Sequence, residues 1–165
     1  MTALAAAAVP VLAGTASAGL PAPVTLDGVG GVVPGMTVAQ VSHAWGVRLA
    51  PRGGVSPECT TAEVRKGALG GSVLFQHGRF GAVWFDRGAR TPSGIRIGST
   101  REQLFRTYGR RLTFLPHTNL QSTSFYAFLR RSTAPHWRIR FDVRNGRVAQ
   151  IGFGGRAVFY EEGCA

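Results

Sequence analysis

One stretch is written twice in this chain, and it limits the possible folds more than any other feature. Gly35-Met36-Thr37-Val38-Ala39-Gln40-Val41-Ser42-His43-Ala44-Trp45-Gly46 returns 63 residues later as Gly98-Ser99-Thr100-Arg101-Glu102-Gln103-Leu104-Phe105-Arg106-Thr107-Tyr108-Gly109. Each copy reads as a short helix. Thr37 or Thr100 takes the N-cap, and Gln40 or Gln103 three residues on can return a hydrogen bond to the cap. Val41 and Trp45, like Leu104 and Tyr108, are spaced four apart and share one apolar face. Gly46 and Gly109 offer the left-handed residue that closes a helix.

The segments after each helix also correspond. Cys59 to Arg65 and Ser124 to Leu129 read as strands, and two hairpins follow, around His77-Gly78-Arg79 and Asn145-Gly146-Arg147. The predicted fold class is therefore α+β, with two tandem units of one helix and a three-stranded antiparallel sheet. The first unit spans 31–86 and the second 91–155; 19–30 is read as a linker and 156–165 as a C-terminal tail. A further strand is expected at Ala157 to Tyr160.

Pro34-Gly35-Met36-Thr37-x-x-Gln40-Val41 with its closing Gly46, together with the Gly78-Arg79 and Gly146-Arg147 hairpins, resembles the tandem-repeat fold of the beta-lactamase inhibitor proteins. It is similar also to the small outer-membrane lipoproteins of the SmpA/OmlA type. Ser99 stands in the second copy where the first has Met36. The resemblance implies a helix-plus-sheet repeat and, for function, an inhibitor-like binding protein.

Residues 1–18 read as an export signal: Ala3 to Ala13 is small and apolar, and Ala16-Ser17-Ala18 has the form of a cleavage site. The usual basic leader is missing from Met1-Thr2. The apolar run is too short to span a bilayer. In an exported chain the pair Cys59 and Cys164 predicts a disulfide, which would pin the tail to the first unit.

Charge divides the chain. Gly19 to Asp86 holds five basic residues against four acids, whereas Arg87 onward holds fourteen arginines against four acids. A field of that sign attracts anionic partners. Trp137 to Arg144 alternates strictly, so Arg138, Arg140, Asp142 and Arg144 share one face. With Arg130 and Arg131 of the preceding loop, those arginines form a candidate anion-binding surface.

Two registers are open for the second hairpin. A two-residue turn at Asn145-Gly146 would put Ala149, Ile151 and Phe153 among the arginines. A three-residue loop with a bulge at Gly146 pairs Val143 with Ala149 and Phe141 with Ile151, turning every apolar group inward, and is preferred. The same register in the first hairpin buries Val73, Phe75, Val83 and Phe85 and leaves Leu74, Phe80 and Trp84 on the outer face. Those three are the candidate protein-binding residues, in competition with a role in the contact between units.

No nucleophile elbow, phosphate loop, dinucleotide fingerprint or metalloprotease motif occurs. His43, His77, His117 and His136 lack metal-ligand spacing. No catalytic residue, cofactor or metal is assigned. The reading is a secreted, non-catalytic protein-binding module whose partner is an extracellular protein. The alternative is a binder of anionic envelope polymers or lipid headgroups through the basic second unit, with nucleic acid a weaker form of it.

Overall fold

A computed structural model describes residues 20–53, 58–117, 124–133, 135–160 and 164. The export signal read at 1–18 lies outside the described residues, as do 161–163 and 165 of the tail. Both duplicated helices form, α1 at Val38–Trp45 and α2 at Arg101–Tyr108. Each has a complete capping box. Gln40 N donates to Thr37 Oγ1 at 3.3 Å, and Thr37 N donates to Gln40 Oε1 at 2.8 Å. The corresponding distances at Thr100 and Gln103 are 3.2 and 2.8 Å. The expected apolar pairs are the buried ones. Gly46 closes α1 in the left-handed region, but Gly109 (φ 46°, ψ −123°) does not, and leads into a 3-10 turn over Gly109–Arg111.

The strands are β1 (Val24–Thr25), β2 (Gly28–Val29), β3 (Arg52–Gly53), β4 (Cys59–Lys66), β5 (Leu69–Gln76), β6 (Arg79–Arg87), β7 (Leu112–Pro116), β8 (Phe125–Arg130), β9 (Arg138–Arg144) and β10 (Arg147–Gly154). The eight strands from β3 onward form one antiparallel sheet in the order β3-β4-β5-β6-β10-β9-β8-β7. This corrects the expected fold class: the chain is mostly β, and two separate units of a helix and three strands do not exist. Four strands follow each helix, and β6 and β10 pair across the centre, with Ile151 opposite Phe85 and Phe153 opposite Val83. An exposed sheet edge leaves backbone donors and acceptors unpaired. The last strands of the two halves satisfy one another and fuse the two small sheets.

Two further expectations change. The segment read as a linker carries β1 and β2, with Val24 and Val29 fully buried and Trp45 Nε1 donating to Val29 O at 2.7 Å. The strand expected at Ala157 to Tyr160 is a 3-10 turn over Arg156–Phe159.

Each helix cap is tied to the hairpin of its own half. Gly35 N donates to Phe80 O and Phe80 N to Met36 O, at 2.8 and 2.7 Å. Gly98, Val148 and Ser99 repeat the pattern at 2.7 and 2.8 Å. Arg79 and Arg147 each donate a guanidinium hydrogen bond to the glycine carbonyl that precedes the cap. The two short motifs of each half are thus two sides of one contact.

Both hairpins use the two-residue turn, with positive φ at His77-Gly78 and Asn145-Gly146. A bulge at the third residue after each turn then restores the inward register. Val143 pairs with Val148, the ladder skips Ala149, and Phe141 pairs with Ile151 as expected. In the first hairpin Phe75 pairs with Phe80 and Leu74 with Ala82, so Gly81 is the extra residue. Because the bulge falls after residue 80, Phe80 turns inward against Trp45, with ring centroids 6.0 Å apart.

Candidate binding surfaces

The sheet has a helix-covered face holding the main core and an opposite face with a smaller cluster of Leu74, Ala82, Trp84, Tyr126, Phe128, Ala157 and Val158. Leu74 and Trp84 lie on this opposite face, but the C-terminal turn covers them and Trp84 is only 5% exposed. With Phe80 in the main core, the three candidate protein-binding residues form no exposed patch. The disulfide explains the cover. Cys59 is bonded to Cys164 with Cα atoms 5.5 Å apart, which holds the tail against β4.

The candidate anion-binding arginines also separate. Arg140 is 3% exposed, donates to Val158 O, Tyr160 O and Gln150 Oε1, and lies over the rings of Trp84 and Tyr126 at 5.4 and 4.6 Å. It clamps the tail to the sheet. Arg144 binds the buried carboxylate of Asp142, with Nη2 2.6 Å from Oδ2, and that hydrogen bond raises the guanidinium pKa. His117 Nε2 lies 3.3 Å from Asp142 Oδ1, and its ring packs tilted by 35° against Tyr126, with centroids 4.0 Å apart. Arg138 lies over the Phe159 ring at 4.9 Å, and Arg131 pairs with Asp27. Of the five, Arg130 and Arg131 reach an open groove of about 490 Å³, where Arg110 and Arg111 join them.

Arg48, Arg52, Arg65 and Arg87 line a larger open groove of about 690 Å³ across β3 to β6. Glu63 pairs with Arg65 and Asp86 with Arg87. These four come from a loop and three strands, so nothing in their spacing marked them. His43, His77 and His136 are exposed, and among the described residues no group of His, Cys, Asp and Glu could hold a metal ion.

An exposed apolar surface does exist, at the β7 end of the sheet. Phe114 and Leu115 are 45% and 47% exposed. Phe114 stacks on Phe105 of α2 at 5.3 Å and meets Phe125 edge-on at 5.8 Å. The Arg101 guanidinium lies over Phe105 and Phe125, 5.3 and 5.5 Å from the ring centroids. Arg111 lies over Tyr108, 5.9 Å from the ring centroid. Aromatic rings beside arginine are the chemistry of interface hot spots. No protein-family model, curated protein or solved structure matches the chain. No helix among the described residues is long and apolar enough to cross a membrane.

Proposed function

We propose that this chain is a secreted, non-catalytic protein-binding module that meets its partner at the β7 end of the sheet. The observation that carries this reading is the exposed Phe114 at the β7 edge, in ring contact with the partly buried Phe105 and Phe125 beside Arg101, with the exposed Leu115 next to it on the other face of the strand. Large aromatic groups left in water cost free energy that a partner can recover by covering them. Secretion accords with the Cys59–Cys164 disulfide, since such bonds persist in oxidising compartments. The test is a pull-down from the native secreted fraction with wild type and a Phe114→Ser/Leu115→Ser variant. Loss of a captured protein in the variant, with folding unchanged, supports the reading, and equal capture refutes it. A β-lactamase is a specific partner to include, as the inhibitor resemblance implies.

The groove of Arg110, Arg111, Arg130 and Arg131 favours a second reading, attachment to anionic envelope polymers or lipid headgroups. Such binding falls steeply as salt rises. Association that survives high salt excludes it.

A further inference from the structure

The two edges of the eight-stranded sheet are built differently. At one end β3 is two exposed residues, Arg52 and Gly53, short and charged in the way that blunts an edge against pairing. At the other end β7 is five residues long, Leu112-Thr113-Phe114-Leu115-Pro116, with no charge along it. Among the described residues it pairs on one side only, with β8. An uncharged edge strand of this length presents a row of backbone donors and acceptors to any extended chain beside it.

The side chains around that edge specify the visitor. Phe114 is opposite Ala127 on the helix-covered face and joins Phe105 and Phe125 there, so this flank is apolar. On the other face Thr113 lines the groove of Arg110, Arg111, Arg130 and Arg131, and the exposed Leu115 lies two residues further along it. Successive side chains of an added strand fall on alternate faces. A segment that alternates apolar and acidic residues would therefore place one set against the phenylalanines and the other among the arginines.

Resting on the protein-binding reading above, we propose that β7 accepts an extended, acidic–apolar alternating segment of a partner protein as a ninth strand. Charge decides against a second copy as the occupant. Pairing β7 with β7 would set two halves with ten excess positive charges each edge to edge, and the groove arginines flanking each β7 would repel those of the other copy.

The experiment uses the whole mature chain and a fluorescein-labelled peptide in which glutamate alternates with valine. Two controls are a lysine-for-glutamate peptide and a pair of glutamate peptides N-methylated on one or the other alternate set of amides. In fluorescence anisotropy the glutamate peptide should bind at least about tenfold tighter than the lysine peptide. N-methylation of one set should weaken binding about tenfold while the other set leaves it unchanged, because only alternate amides of an added strand face β7. Phe114→Ser with Leu115→Ser should also weaken it. Both positions are about half exposed, so the fold tolerates the change.

Equal binding of both methylated peptides overturns strand addition while leaving the surface as a binding site. No binding of the glutamate peptide also overturns it, and the pull-down then decides the broader reading by itself. A wild-type dimer in sedimentation equilibrium that Phe114→Ser abolishes would make a second copy the occupant and refute the proposal.

Discussion

Removing the Cys59–Cys164 bond should cost this protein a large share of its stability. The bond joins residues separated by 105 positions. On the chain-entropy relation, restricting a loop of that size destabilises the unfolded state by about 4.8 kcal/mol at 25 °C. The native state loses a second contribution, because the bond holds the turn that covers Leu74 and Trp84. Arg140 opposes that loss, since its hydrogen bonds to Val158 and Tyr160 carbonyls tether the same turn without the disulfide. The double variant Cys59→Ser/Cys164→Ser should therefore unfold about 4–5 kcal/mol more easily. For a domain of this size that is about 10–20 °C in Tm. Urea unfolding followed by far-UV circular dichroism gives the free energy, and tryptophan emission reports whether Trp84 becomes wetted. A loss under about 1 kcal/mol would refute the reasoning, by showing that the unfolded chain gains little freedom when the bond is absent.

Phe80→Ala should cost about 3–5 kcal/mol in urea unfolding, because the ring fills the main core between Trp45 and Phe75; a cost below about 1 kcal/mol would mean that it faces solvent. Asp142→Asn should destabilise by about 1–3 kcal/mol, since the buried carboxylate accepts from Arg144 and His117, and the companion Arg144→Gln should cost at least as much, because it strands the buried carboxylate (1% exposed), whereas water can solvate the half-exposed Arg144 (48%) when Asp142 is replaced. Glu102 has its pKa lowered by hydrogen bonds from its own backbone N–H and from Thr100 at the start of α2. Its stabilising share is therefore present above the ordinary carboxylate pKa and is lost as pH falls through the lowered one. Glu102→Gln should lower the urea midpoint at about pH 7 and leave it unchanged at about pH 2, and an equal deficit at both would contradict that linkage.

The local features were readable in the sequence for a local reason. A capping box and a helical apolar pair each lie within a few residues, and Thr37 and Thr100 do what their neighbours dictate; at Asn145-Gly146 the hairpin was legible but its turn was not, since the two-residue turn with a bulge at Ala149 replaces the preferred three-residue loop. The strict alternation of β9 placed Arg140 and Asp142 on the correct face. It carried no sign that the tail lies over that face, because a bond between residues 59 and 164 brings the tail there. Phe80 went to the wrong side for a smaller reason. One bulge at Gly81, rather than a longer loop at the turn, moves residue 80 inward while leaving residues 83 and 85 as expected. β3 is too short to carry a pattern, and β7 exists through its ladder to β8. The joining of two sheets into one follows from the β6–β10 pairing, a contact between residues nearly seventy apart. The aromatic cluster was hidden likewise, since Phe105, Phe114 and Phe125 come from a helix and two strands.

The central claim is that the chain works as a binding module through its β7 end. The direct measurement is amide hydrogen exchange, residue by residue, on the free protein and on the protein loaded with the partner it captures from the native secreted fraction. New protection concentrated at Leu112 to Leu115 and around Phe105, with the exchange of Arg52 and Gly53 unchanged, is the predicted result. Unchanged exchange along β7, with protection instead across the groove lined by Arg48, Arg52, Arg65 and Arg87, would contradict it.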